Sequence, residues 1–243
     1  MIMRQAIVLA AGISTRMRPL TNNIPKPMLL LNGKPIMEYV VRHLQQAGFT
    51  DIIVTVHYLS ATIMDYFRDG SKFGVNIVYS QEKSLRDTAG SLKLLEDKLQ
   101  DEFLVCGGHF FLPDLNLIDM ISFHKEKGGL GTVAFKDVPE KNLLCLFGQG
   151  LFDSCLRLIK FKEKPSEALS SFIHTTYQIY SKKVVALIPA EIPVSIPDFL
   201  IPKMLENKLP IYGYFTKSEL INFSTLELYE RAHIFIKQIV CSR

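Results

Sequence analysis

The chain has 243 residues, 48% of them hydrophobic, and a formal net charge of +4. That is enough apolar material for a sizeable core, while the absence of any Lys/Arg block argues against a nucleic-acid partner and for a small anionic ligand. No apolar run reaches the roughly 20 residues that a spanning helix needs, so no membrane association is expected.

The four cysteines, Cys106, Cys145, Cys155 and Cys241, show no C-x-x-C or metal spacing; two fall in apolar runs, and buried free thiols in a reducing cytoplasm are expected. The N-terminal apolar run is short and ends in a glycine loop without a cleavage site, so no signal peptide is expected.

In chain order, strands are predicted at Gln5–Leu9, Asp51–His57, Val75–Tyr79 and Glu102–Cys106, each rich in Val, Ile or Phe. Helical patterns fall between them at Pro35–Ala47, Ser60–Phe67 and Thr88–Lys98. Pro35 suits a first helical position, Gly48 a helix end and Ser60 an N-cap. A helix at Leu115–Lys127 is expected to start near Asp114, whose carboxylate favours a helix N-terminus. Then come strands at Leu130–Phe135, Leu143–Phe147, Cys155–Phe161, Phe172–Tyr180 and Leu209–Phe215, with turns at Gly128–Gly131 and Gly148–Gly150. Ser224-Thr225-Leu226-Glu227 has the form of a capping box for a last helix. The alternation in the first half predicts an α/β fold with a doubly wound, mostly parallel mixed sheet, three layers deep, binding ligands at the carboxyl ends of its strands.

The strongest chemical signal follows the first strand. Ala11, Gly12 and Ser14 form a loop of small residues, and Thr15, Arg16, Arg18 and Lys26 add a hydroxyl and cations. Backbone N–H groups in such a loop make a concave anion site, and arginine adds bidentate charge-assisted bonds. This predicts a polyphosphate site. The loop lacks the G-x-G-x-x-G of a dinucleotide fold, and no G-K-[ST] of a P-loop is present.

Several motifs in order resemble the sugar-phosphate nucleotidyltransferases, or sugar-nucleotide pyrophosphorylases. They are L-A-A-G-I-S-T-R-M-R-P-L from Leu9, P-K-P-M-L from Pro25, R-D-T-A-G-S-L from Arg86 and F-K-E-K-P from Phe161. The resemblance implies a single domain over 1–243 with a Rossmann-like nucleotidyltransferase fold, residues 1–110 forming a nucleotide-binding half and 111–243 a sugar-phosphate-binding half. It implies condensation of a nucleoside triphosphate with a sugar 1-phosphate, giving a nucleotide sugar and pyrophosphate. By the same analogy Leu9, Ala11, Gly12, Ser14 and Thr15 hold the nucleotide, with Gln81, Thr88, Ala89 and Gly90 against the nucleoside. Arg16 and Lys26 are the implied catalytic cations, while Glu163, Lys164 and His174 face the sugar phosphate.

The chain departs from that family where metal is bound. C-G-G-H places His109, and L-I-N-F-S-T places Asn222, at the positions of the family's two metal-binding aspartates. Mg²⁺ prefers carboxylate oxygen and imidazole suits Mn²⁺ better, so Mg²⁺ or Mn²⁺ is expected to be held weakly by the protein, if at all. Asp114 and Glu219 are the nearby acids that could substitute. I-H-T-T-Y also puts His174 and Thr176 where the family carries asparagine and glycine. Two expectations stand: an active nucleotidyltransferase, or a degenerate member that binds nucleotide or nucleotide sugar as a regulatory or partner subunit. Oligomeric state is open.

Overall fold

Runs of Val, Ile and Leu form the strands, and amphipathic stretches between glycines and prolines form the helices. The computed structural model describes residues 3–139, 144–222 and 226–241. The chain begins with β1 (Gln5–Leu9), β2 (Leu30–Leu31), β3 (Lys34–Pro35), α1 (Ile36–Gln46), β4 (Asp51–Val56), α2 (Ser60–Phe67), β5 (Asn76–Gln81) and α3 (Asp87–Leu94). It continues through β6 (Glu102–Gly107), β7 (Phe110–Phe111), α4 (Leu117–Lys127), β8 (Gly131–Asp137), β9 (Gln149–Phe152), β10 (Leu158–Lys162) and β11 (Phe172–Ser181). The last elements are α5 (Ile201–Glu206), β12 (Ile211–Thr216), β13 (Ile221–Asn222) and α6 (Leu226–Cys241).

The contacts divide into two compact units. The N-terminal unit comprises Ala6–Leu85, Cys106–Pro113 and Glu219–Arg243, and the central unit comprises Met1–Gln5, Arg86–Val105 and Asp114–Ser218. The chain crosses between them more than once, so Arg86–Val105 packs in the central unit and the last helix in the N-terminal one.

In the N-terminal unit β1, β4 and β5 are neighbours, and β4 runs parallel to β5 from Asp51 opposite Asn76 to Val56 opposite Gln81. Ala6, Ile7 and Val8 are fully buried, as suits a strand with neighbours on both sides. Helix α1 buries Ile36, Met37, Val40, Val41 and Leu44 along one face, and Gly48 ends it in the left-handed region at φ +89°. Its Tyr39 and His43 rings lie 5.8 and 5.7 Å from that of Phe111 on β7, which pairs with β13.

The central unit is largely antiparallel: β10 pairs β9, and β11 pairs β6, β8 and β9, while β12 lies parallel to β8. Its core holds fully buried Tyr177 and Tyr180 on β11, and Phe152 meets the edges of Phe135 and Phe215 at 4.8 and 4.9 Å. His124 hydrogen-bonds Thr132 Oγ1 through Nδ1 at 2.7 Å from a buried position. Of the thiols, Cys106 is buried, Cys145 half-buried and Cys155 exposed.

Several local expectations need correction. Leu144–Phe147, within the strand expected at Leu143–Phe147, is instead a turn closed by Phe147 N–H on the Leu144 carbonyl; Leu143 lies outside the described residues. The strand falls at Gln149–Phe152, across the glycines expected to turn. A Cβ on Gly150 would meet Leu158 at 2.7 Å and Phe152 at 2.8 Å, so this glycine serves close packing within a strand. Ser60 does not cap α2, because Leu59 precedes the helix in a left-handed conformation without a side-chain cap. Pro35 stands just outside α1. Asn116, not Asp114, caps α4 through the Asp119 amide, while Asp114 donates its own N–H to Ser218 Oγ. Helix α3 stops at Leu94 and resumes as a tight turn over Glu96–Lys98. The expected capping box at Ser224–Glu227 falls on Ser224 and Thr225, which lie outside the described residues.

The sequence reading missed the wide helical turn Ile196–Leu200 and α5 behind it. Pro197 and Pro202 suggest breaks, yet each sits in a first turn, where its missing N–H has no partner to lose.

Candidate polyphosphate site

The end of β1 and the loop behind it are held by local bonds within the N-terminal unit. Ala10 N–H donates to the carbonyl and hydroxyl oxygens of Thr55 on β4. Ser14 enters the left-handed region at φ 56°, and Thr15–Met17 then form one tight turn that buries Met17. Thr21 Oγ1 donates to the Ser14 carbonyl at 3.0 Å, and Tyr58 Oη reaches the Thr21 and Asn22 carbonyls at 2.9 and 2.8 Å. With its underside pinned, the loop leaves Gly12, Thr15 and Arg16 exposed. A Cβ on Gly12 would meet nothing within 4 Å, so the space over that backbone is open. Ala11 is buried and Leu9 partly exposed at the strand end. Gln81 is the last, exposed residue of β5, with Nε2 3.4 Å from Ser60 Oγ.

Three basic side chains converge here. Lys26 lies in a tight turn that follows Pro25 and includes Pro27, and it is only 5% exposed. The turn between β6 and β7 brings in His109, where Gly108 N–H bonds the Leu9 carbonyl at 2.9 Å. Burial, and then the Arg16 charge, pull the Lys26 ammonium from 10.5 down to about 7. Burial, Lys26 and Arg16 together hold the His109 imidazole well below its usual range, so it is neutral at pH 7. Among the described residues no carboxylate pairs with Lys26. A buried lysine beside a second cation, with no acid to balance it, is a site awaiting an anion.

The same shift predicts a stability profile. Lys26 binds its proton less tightly in the folded protein than in the unfolded chain, so between about pH 7 and 10 the unfolded chain carries more protons. Stability therefore rises with pH across that window, and the desolvation penalty is felt in full below it. Lys26→Met is expected to melt above the wild type near pH 6, with the gap narrowing toward about pH 10 in thermal denaturation.

The family resemblance implies a divalent metal, and the residues present do not fit one. Mg²⁺ requires hard oxygen donors, commonly one or two carboxylates. Position 109 offers an imidazole flanked by two cations that repel a metal. The β7–β13 register sets Asn222 opposite Phe110, and its side chain lies outside the described residues. Among the described residues no group of three His, Cys, Asp or Glu side chains could hold a metal ion.

The remaining predicted residues belong to the central unit. Glu163 follows β10, with Oε1 3.2 Å from Lys164 Nζ, and its other oxygen is buried without a hydrogen-bond partner. Burial raises its pKa against the opposing pull of Lys164, and the Asp198 carboxylate raises it further. A Cβ on Gly148 would lie 2.5 Å from Glu163 Oε2, so any larger residue there would displace this carboxylate. Lys164 adopts φ +40°, which turns the chain directly after Glu163.

His174 sits on β11 with its N–H on the Gly148 carbonyl at 2.7 Å and its ring edge-on to Phe161 at 5.6 Å. Burial lowers its pKa to about 4 against a hydrogen bond with Gln178, which leaves the ring neutral. Thr88, Ala89 and Gly90 open α3. The Ala89 and Gly90 N–H groups both donate to the Val194 carbonyl, and Ile196 N–H donates to Thr88 Oγ1 at 2.7 Å. Asp198, which the sequence reading missed, is oriented by Ser195 Oγ at 2.7 Å, and its amide returns a bond to the same oxygen. The Ser-x-x-Asp spacing was a visible signal for this cap.

The profile of the nucleotidyl transferase family matches residues 5–237. The chain belongs to that family. It is 37% identical over 223 residues to a UTP–glucose-1-phosphate uridylyltransferase of Synechocystis, covering 86% of this chain and 57% of the relative. It is 31% identical over 211 residues to a mannose-1-phosphate guanyltransferase of Saccharomyces cerevisiae, covering 84% and 57%. The chain thus spans a little over half the length of these relatives. Its fold is shared with a putative glucose-1-phosphate thymidylyltransferase from Bacillus anthracis (TM-score 0.85, 22% identity, 96% of this chain and 95% of that one). It is also shared with HddC from Yersinia pseudotuberculosis (TM-score 0.82, 22% identity, 96% and 100%). The mixed α/β sheet read from this nucleotidyl transferase family sequence is therefore the family's own. No helix among the described residues is long and apolar enough to cross a membrane.

Proposed function

We propose that the protein joins a nucleoside triphosphate to a sugar 1-phosphate. A phosphate oxygen of the sugar phosphate attacks the α-phosphorus, the bond from that phosphorus to the β-phosphate bridging oxygen breaks, and pyrophosphate leaves with the electron pair. Two anions must meet, so the work is positioning and charge compensation. The observation that carries the reading is the unbalanced cation cluster of Lys26 and Arg16 beside a pinned small-residue loop. Gly12, Ser14 and Thr15 cradle the phosphates, Leu9 and Ala11 line the base, and Gln81 with Thr88, Ala89 and Gly90 contacts the nucleoside. Glu163, Lys164 and His174 take the sugar phosphate. The relatives' names make UTP with glucose 1-phosphate and GTP with mannose 1-phosphate the first pairs to try.

A second reading is favoured by one observation: neither family aspartate is present, at His109 or at Asn222. On it, the protein binds nucleotide or nucleotide sugar and does not turn it over. Pyrophosphate release across a panel of triphosphates and sugar 1-phosphates, with Mg²⁺ and with Mn²⁺, separates the two. Release above the chain-free rate is the expected result; silence alongside measurable nucleotide binding selects the second reading.

A further inference from the structure

Positions 109 and 222, where the family resemblance places metal ligands, sit on one small ladder. The β7–β13 register sets Asn222 opposite Phe110, the neighbour of His109. The turn that carries His109 is tied to the end of β1 by Gly108 N–H on the Leu9 carbonyl at 2.9 Å, ahead of the loop that carries Arg16. The charges acting on His109 are those of Lys26 and Arg16, and the charge acting on Lys26 is that of Arg16. Glu38, an acid of this unit, is buried and bonded to Tyr66 and to Arg42, 2.8 Å away. A metal brought here by a nucleotide would meet two cations and find no carboxylate at position 109 or 222.

We infer that this site takes the polyphosphate of its nucleotide as the metal-free anion, with Lys26 and Arg16 supplying the charge and the His109 ring a hydrogen bond. The inference rests on the proposed nucleotide site and adds to it which ionic form of the ligand the protein selects. Lys26 and Arg16 stand where their charges add to the field at His109, so they compete with a divalent ion for the same phosphate oxygens. Magnesium bound to the nucleotide neutralises charge that these cations would otherwise meet. The His109 ring has an N–H to donate to a phosphate oxygen, which a metal ligand could not do with its bound nitrogen.

Isothermal titration of the full chain with inorganic tripolyphosphate, UTP and GTP, in EDTA and in excess Mg²⁺, tests this. The expected result is binding in EDTA at least as tight as in Mg²⁺, and about three- to tenfold tighter for tripolyphosphate. Binding weakened about tenfold or more by EDTA overturns the inference. His109→Asp, which supplies a carboxylate, is expected to reverse the order and bind more tightly with Mg²⁺; unchanged EDTA preference in a folded variant also counts against it. The wild-type titration decides the matter even where the variant does not fold. Pyrophosphate release separates this inference from the function beneath it. Turnover with Mg²⁺-dependent binding sinks the inference alone, metal-independent binding without turnover sinks the transferase alone, and no binding at all sinks both.

Discussion

Lys26→Met is expected to weaken triphosphate binding by about 100-fold or more, because it deletes a charge-assisted contact that water screens poorly. The lysine is buried, bracketed by prolines and free of any acid partner among the described residues, so its charge is available to the ligand. Binding should also move a proton. At about pH 8 the free protein holds Lys26 largely neutral, whereas a bound polyphosphate restores its proton. Uptake of nearly one proton per nucleotide is expected there, falling toward none near pH 6, where the ammonium is already charged. Titration in buffers of different ionisation enthalpy reads this directly. Uptake unchanged in Lys26→Met would assign the proton to another group.

Glu163→Gln is expected to raise the KM for the sugar phosphate by roughly 10- to 100-fold while leaving triphosphate affinity unchanged, since hydrogen bonds to a charged group are worth about 1.5–3 kcal/mol. One Glu163 oxygen is paired with Lys164, and the other is buried without a partner beside Gly148. Burial raises the Glu163 pKa above the usual carboxylate value. Between the ordinary carboxylate value and the raised one, the folded protein binds more protons than the unfolded chain, so stability falls as pH rises through that window. Recognition that needs the ionised form therefore has its acid limb above the usual carboxylate range, and this limb should vanish in Glu163→Gln. A matching loss of triphosphate affinity would show that the variant perturbs more than the sugar side.

Much of this was legible in order along the chain. The strand Gln5–Leu9 and the helix Ser60–Phe67 fall where the apolar pattern puts them, because a strongly periodic segment has one way to bury its apolar face. Gln149–Phe152 was not legible. Its glycines read as a turn, and only the packed ring of Phe152 and side chain of Leu158 show why a strand needs them. The turn around Asp198 was hidden by prolines that are harmless where they stand.

The sequence by itself determined that a small-residue loop with Arg16 and Lys26 follows the first strand, and that acids are missing at positions 109 and 222. Those are facts of composition and local order. Only the tertiary structure decided what they amount to. It drew Lys26 into the interior and set the His109 turn against the end of β1, so that three basic groups share one field and, among the described residues, no acid pairs with Lys26. Charge compensation depends on distance and burial, and neither is written in the order of residues.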